Sequence, residues 1–339
     1  MRAVVVNAYA DGRSGIGAGS DASRRPSGET GPVVADRADP IAGTGELLVR
    51  VRAAGINNAD LLQVRGRYPA PPGSPPDIPG LELAGEVVGL GPGAARFAIG
   101  DRVMAVVGGG AQAALAVVHE RAAMPVPGVM GWQEAGGFPE AFTTAHDALF
   151  TQAGLSVGER VCVHGAAGGV GTAAVQLAAA AGARVVATVR RESLRADVEA
   201  LAGAGGSVIA VDPVGFASHG PFDVILELVG GPNLGDDVAA LATGGRIAVI
   251  GVGAGAKAEL DLMALMGARG RISGSTLRAR PLEGKATAAR AVEAHVLALV
   301  EAGRIRVPVL ATYPLEEAAA AYARFSESGK LGKVVILDE

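Results

Sequence analysis

A chain of 339 residues with a net charge of −4 carries no broad basic field, which argues against a nucleic-acid or anionic-membrane partner. Its 49% apolar and 19% charged residues suit buried cores, about two domains at this length, and not a disordered chain. A single cysteine, Cys162, excludes an internal disulfide and a multi-cysteine zinc site; no run approaches the ~20 apolar residues of a membrane span, and the apolar N-terminus is too short for a signal peptide, so the expected compartment is cytoplasmic.

Ala3 to Val6 reads as an edge strand. Residues 11–31, rich in Gly, Ser, Asp and Arg without an apolar period, read as a mobile surface insertion. Glu46 to Ala53 alternates as a strand. Asn57-Asn58-Ala59-Asp60 then opens a short helix through Val64. The prolines from Pro69 to Pro79 impose an extended loop, which carries Tyr68 at its start. Leu83 to Leu90 and Asp101 to Val107 are strands between Gly/Pro turns. Short strands and turns without helical period predict a β-barrel-type domain to about residue 125.

The pattern changes after Pro125-Val126-Pro127-Gly128. Gln133 to Thr151 reads as helix interrupted at Pro139. Strands are then predicted at Arg160–His164, Arg184–Val189, Ser207–Val211, Asp223–Leu228, Arg246–Gly251 and Arg271–Ser275. Mostly helical crossovers between them imply a doubly wound parallel sheet. Its first turn is His164-Gly165-Ala166-Ala167-Gly168-Gly169-Val170-Gly171, ahead of an alanine-rich helix over 172–181. A strand, a glycine turn and a helix start form a phosphate site, because free N–H groups and the positive end of the helix dipole face the anion. Ala166, Gly168 and Gly171 hold the three places of the Rossmann dinucleotide fingerprint, the first glycine being replaced by alanine.

The second strand ends at Thr188-Val189 without the acid that would hold the ribose hydroxyls of NAD; Arg190-Arg191 follow, with Arg195 one turn on. Guanidiniums suit a 2′-phosphate, so the expected cofactor is NADP(H), the alternative being solvated arginines at a helix start. The loops after later strands, at Val229-Gly230, Gly251-Val252 and Ser275-Thr276, open on the same crevice. Helices over 286–302 and 315–325 and a last strand over 333–337 return the chain to the first domain. The division read is 1–127 with 281–339, and 128–280. Lys330, near that last strand, is either a phosphate contact across the cleft or a solvated edge lysine.

The stretches Ala53–Asp60, Gly80–Val88, Gly100–Val103, Pro139–Thr144, Ala166–Gly171 and Leu331–Ile336 make the chain resemble the zinc-free quinone oxidoreductases of the medium-chain dehydrogenase/reductase family. Ala59–Gln63, Pro139–Ala141 and Gly171–Ala174 resemble the tumour-suppressor-inducible subgroup. The resemblance implies an α/β chain with a GroES-like catalytic domain and a Rossmann domain, a homodimer built through the Rossmann sheet edge, and cofactor contacts that include Thr144. The family's zinc enzymes use Cys, His and Cys. Asn57, Leu81 and Glu140 hold those places here, so no metal is expected.

The implied reaction is hydride transfer from NADPH to a quinone, the alternatives being an enone or alkenal reductase and a non-catalytic NADPH-binding or crystallin-like protein. Asn57 is expected to donate to the developing oxyanion or the nicotinamide ribose, Asp60 to fix its loop, and Tyr68 to face the acceptor. Their plain alternatives are a helix cap, a turn residue and loop packing. Glu140 is open between positioning and a helix-start acid. No general acid is assigned, since a reduced quinone can take its proton from water.

Overall fold

Alternation along Leu47, Val49 and Val51 puts one face of a strand in a core and the other toward water, and the first domain is built from such ribbons. The structure, a computed structural model, describes residues 1–6, 31–203 and 205–338. The predicted insertion lies outside the described residues except for Gly31. Strands β1 (Arg2–Val5) and β2 (Val33–Asp36) form an antiparallel pair. There follow β3 (Glu46–Gly55), α1 (Asn58–Val64), β4 (Glu82–Leu90), β5 (Arg102–Val106), β6 (Leu115–His119) and β7 (Ala123–Pro125).

Helix α2 (Trp132–Gly137) stops before Pro139, where α3 (Pro139–His146) begins, as the proline predicts; one π-helical turn, Asp147–Gln152, continues it. The stacked rings of Phe138 and Phe142, 4.4 Å apart, lie in a core shared by Met104 and Met124 of the first domain and by the nucleotide half of the chain.

The second sheet alternates β8 (Arg160–Val163), α4 (Gly169–Ala180), β9 (Arg184–Thr188), α5 (Arg195–Glu199), β10 (Ser207–Val211), β11 (Phe222–Glu227), α6 (Leu234–Ala239), β12 (Leu241–Val249), α7 (Leu262–Gly267) and β13 (Arg271–Gly274). All six strands are parallel, in the order β10-β9-β8-β11-β12-β13. The order reverses direction between β8 and β11, and open α/β sheets bind ligands outside the carboxyl ends of the strands at such a point.

Helix α8 (Leu282–His295) begins directly after Pro281, four residues earlier than the apolar period suggests, and a break at Val296 separates it from α9 (Leu297–Glu301). The chain then returns through β14 (Val309–Pro314), α10 (Ala318–Ser326) and β15 (Lys333–Leu337). β15 pairs antiparallel with β3 inside the seven-stranded sheet of the first domain. The short strands β2, β6, β7 and β14 are absent from the sequence reading. Among the described residues no helix is long and apolar enough to cross a membrane.

Candidate active site

Gly165 adopts φ +63°, so the sharp turn after β8 falls one residue before the fingerprint begins, and alanine fits at 166. Gly168 caps α4 in an extended conformation. A Cβ there would meet only Gly165 O, at 3.4 Å, and would otherwise fill open space above the turn. Gly171 is different: its Cβ would lie 2.4 Å from Gly165 O and 2.7 Å from the Ala166 Cα, so the helix can sit this close to the turn only with glycine. With the free N–H groups of Gly169 and Val170 at the start of a twelve-residue helix, this cradle fits a dinucleotide pyrophosphate.

Most of the other expected cofactor residues follow the carboxyl ends of the parallel strands. Glu227, at the end of β11, accepts from the backbone N–H of Gly230 at 2.7 Å, from that of Val229, and from Asn233 Nδ2 at 2.9 Å, which fixes the 229–230 loop. Val252 is half exposed beside it. A Cβ on Gly251 would lie 2.3 Å from Leu228 O, so this glycine is required by packing between the two loops. Thr188 is buried, its hydroxyl 3.1 Å from His164 Nδ1, and His164 Nε2 meets Asp237 Oδ1 at 2.8 Å, so the Thr188 side chain serves the sheet interior. Arg190 is exposed. Arg191 donates to Ser328 Oγ at 2.8 Å and packs on Gly329, next to Lys330. Arg195 is paired with Asp212 at 2.7 Å. The Lys330 ammonium lies 3.5 Å above the Phe325 ring, and burial, with Arg324 and Lys333 nearby, lowers its pKa to about 8. Ser275 Oγ is held by Gln152 and Arg280, and Thr276 O accepts from Arg280. Ala167 O accepts from Gly332 N at 3.0 Å, joining the glycine turn to the returning strand β15.

Across the crevice, Asn57 caps α1 and Asp60 closes the turn. One Asp60 oxygen accepts from Asn57 N at 2.8 Å and the other from Gly80 N at 3.0 Å. Burial pushes the Asp60 pKa up to about 7, against the pull of those two N–H groups. Asp60 is therefore a fastener of two loops and, being fully buried, reaches no open space where it could touch an acceptor. Tyr68 is half-buried with the Arg278 guanidinium 4.9 Å from its ring centre. Burial raises the Tyr68 pKa, which keeps the phenol protonated.

The surroundings of Asn57 contain two residues that the sequence reading missed in this role. Lys333, at the start of β15, is 2% exposed, and Glu82, at the start of β4, is fully buried. Lys333 Nζ lies 2.5 Å from Glu82 Oε1, 2.7 Å from Asn57 Oδ1 and 3.2 Å from Ile56 O. Asn57 Nδ2 donates to Glu82 Oε1 at 2.9 Å, and Glu82 Oε2 accepts from Glu140 N at 2.8 Å. Of the three places of a zinc site, Asn57 faces an ammonium, Leu81 is a buried hydrocarbon, and Glu140 alone offers a carboxylate. A tetrahedral zinc ion needs nitrogen, sulfur or several oxygens and no resident cation, so these residues do not fit one.

Glu140 Oε1 accepts from Thr144 Oγ1 at 3.3 Å, while the shielded Oε2 has no partner among the described residues. Burial and the neighbouring Glu82 charge push the Glu140 pKa up to about 7, with Lys333 opposing. The folded state thus binds this proton more tightly than the unfolded chain, whose carboxyl titrates near 4.5. The contribution to stability is full below pH 4.5 and is lost as pH rises to about 7; Asp60 slopes the same way. Glu140→Gln should melt with the wild type at pH 4 and several degrees above it at pH 8, by calorimetry at both pH values.

Residues 43–153 match the alcohol dehydrogenase GroES-like domain family and residues 206–336 the zinc-binding dehydrogenase family. A quinone oxidoreductase from Lama guanicoe is 33% identical over 89% of this chain and 92% of its own. The chain belongs to the medium-chain dehydrogenase/reductase family, in its quinone oxidoreductase branch. Members of this family are oxidoreductases that use a nicotinamide cofactor, and the cradle at Gly168 fits one. The chain is also 33% identical over 86% of its length to the polyketide synthase GfsB of Streptomyces halstedii and 34% identical over 89% to NorB of Streptomyces orinoci. It spans only 5% and 13% of those two proteins. Among solved structures, a thermostable alcohol dehydrogenase from Pyrobaculum aerophilum superposes with a TM-score of 0.78 at 28% identity, covering 99% of each chain. The zinc-binding description of the family thus meets a chain whose residues at the metal position do not suit zinc.

Proposed function

We propose that this medium-chain reductase transfers hydride from NADPH to a quinone, with Asn57 and Tyr68 on the acceptor side of the site and Asp60 fixing the Asn57 loop behind them. The observation that carries this reading is the Lys333–Glu82 pair seated beside Asn57, where a Lewis acid would otherwise stand. Asn57, Leu81 and Glu140 beside a buried ammonium do not suit a zinc ion that would make an alkoxide, so alcohol oxidation is disfavoured, and an acceptor that is already electron-poor needs little further polarisation. When bound, the dinucleotide supplies the hydride. The chain aligns the acceptor, excludes water and offers the Asn57 amide to the oxygen on which charge develops; the proton comes from solvent.

The second reading is reduction of an enone or alkenal, an α,β-unsaturated carbonyl, and it is kept because the chain is also 33–37% identical to parts of polyketide synthases. Steady-state assays of NADPH with 1,2-naphthoquinone, 1,4-benzoquinone and 2-alkenals separate the two. Turnover of an alkenal and of no quinone would replace the first reading by the second. NADPH binding without reduction of any acceptor would leave a non-catalytic binder.

Preference for NADPH rests on Arg190 and Arg191, with Lys330 brought beside Arg191 by the 328–330 turn. Replacing both arginines by alanine should raise KM for NADPH at least tenfold and change KM for NADH less than twofold. Equal change in both would place the 2′-phosphate elsewhere. A homodimer is supported by the outer edge of β13 and by α7, which exposes Leu262, Met263 and Met266. Met263→Glu with Met266→Glu should halve the sedimenting mass.

A further inference from the structure

A buried ion pair is a poor way to gain stability. Removing two ions from water is costly, and an apolar pair of similar volume is often as good or better. Lys333 and Glu82 are nonetheless both buried, and the fold makes room for them in three places. A Cβ on Gly55 would lie 2.2 Å from Glu82 Oε1, one on Gly169 would lie 2.7 Å from Lys333 Cδ, and one on Gly137 would lie 3.2 Å from Lys333 Cγ. The lysine stem thus runs from β15 past the glycine turn of the nucleotide site to reach Asn57.

The three donors of the ammonium are all used, on Glu82 Oε1, Asn57 Oδ1 and Ile56 O. Each partner of Asn57 tolerates one orientation of the amide. An ammonium only donates, so it must face Oδ1, and a carboxylate only accepts, so it must face Nδ2. Rotating the amide by half a turn would set oxygen against carboxylate and N–H against ammonium. One Nδ2 hydrogen is taken by Glu82 at 2.9 Å; for the other, the acceptor among the described residues is Gly55 O at 3.5 Å, a long contact that a better acceptor would displace.

We propose that Lys333 and Glu82 are positioning residues that lock the Asn57 amide with a hydrogen-bond donor toward the acceptor oxygen, so that an internal ammonium–carboxylate pair takes over the orienting and electrostatic task of the missing metal. The proposal rests on the acceptor role given above to Asn57. The pair acts through Asn57 and does not itself touch the substrate.

A double-mutant cycle tests it. Lys333→Met should lower kcat about a hundredfold and leave the NADPH Kd, read by fluorescence, within threefold. Asn57→Ala should lower kcat similarly. The double variant should be no worse than either single one, because a lysine that works by orienting Asn57 has nothing left to orient. Multiplicative losses would overturn the proposal. Glu82→Gln with Lys333→Met keeps the volume, leaves no unpaired ion and serves where Lys333→Met does not fold. It should melt near the wild type yet stay as slow as Lys333→Met, and recovery of wild-type kcat would mean that the pair merely balances charge. A readout without turnover separates this proposal from the function proposed above. The chain has four asparagines, so selective 15N labelling gives four side-chain amides, with Asn57→Ala identifying one. That signal should exchange slowly with solvent in the wild type and at least tenfold faster in the Glu82→Gln, Lys333→Met variant. An unchanged rate would overturn the locking even if the wild type reduces no quinone.

Discussion

Gly168→Ala and Gly171→Ala, three residues apart on one turn, should fail in different ways. At Gly171 the added methyl would meet Gly165 O at 2.4 Å and two backbone atoms of Ala166 within 2.8 Å. Backbone cannot swing aside as a side chain can, so α4 must lift from the turn after β8. Overpacking of this kind costs about 1–3 kcal/mol. The melting temperature should fall by several degrees and the NADPH Kd should rise at least tenfold, since the N–H groups at the helix start move with the helix. At Gly168 the methyl meets only Gly165 O at 3.4 Å, an ordinary contact. The backbone is extended at φ −75°, which alanine adopts freely. This variant should melt within a degree of the wild type. Its NADPH Kd should nevertheless rise at least tenfold, because the methyl occupies the cradle. Calorimetry with a fluorescence titration checks both. Unimpaired binding by Gly168→Ala would mean that the pyrophosphate does not rest on this turn.

The inner strands β8, β9, β11 and β12 were legible because each carries a short apolar run, as strands buried on both faces must, while β10 and β13, exposed at the two sheet edges, were legible from the strand–helix alternation around them. β7, three residues paired with β5, has too few positions for any period, and β14 is interrupted by a register shift against β15. The site divides along the same line. Asn57, Asp60 and the glycine turn sit in local patterns that carry their own meaning. Lys333 does not. Lys330 and Lys333 look alike on either side of Gly332, yet one is half-buried over the Phe325 ring and the other is buried. What distinguishes them is Glu82 and Asn57, which the sheet pairing of β15 with β3 brings near from 276 residues away in the case of Asn57. Thr188 was placed at the right strand end, but a hydroxyl there can turn inward, and His164 supplies a partner inside.

Arg278→Met should be the most damaging change outside the two loops that hold the reacting groups. Arg278 follows β13 and is 2% exposed, and it reaches Gly108, Tyr68 and Gln63 of the first domain. Its Nε donates to Gly108 O at 2.8 Å, one terminal nitrogen to Tyr68 O at 3.1 Å and the other to Gln63 Oε1, while the plane lies near the Tyr68 ring. Methionine fills much of the volume and makes none of these bonds. Hydrogen bonds to a charged group contribute about 1.5–3 kcal/mol each, and the partners left behind are shielded from water. Urea unfolding should therefore register a loss of about 3 kcal/mol or more. Lysine should not restore it, since one ammonium on a shorter reach cannot serve three acceptors spread in a plane. The kinetic consequence follows from the position of Tyr68. Arg278 holds the loop that bears this ring through Tyr68 O and Gln63, so KM for the acceptor should rise at least tenfold while the NADPH Kd stays within twofold. Stability lost with the acceptor KM unchanged would separate Tyr68 from the acceptor and return its ring to loop packing.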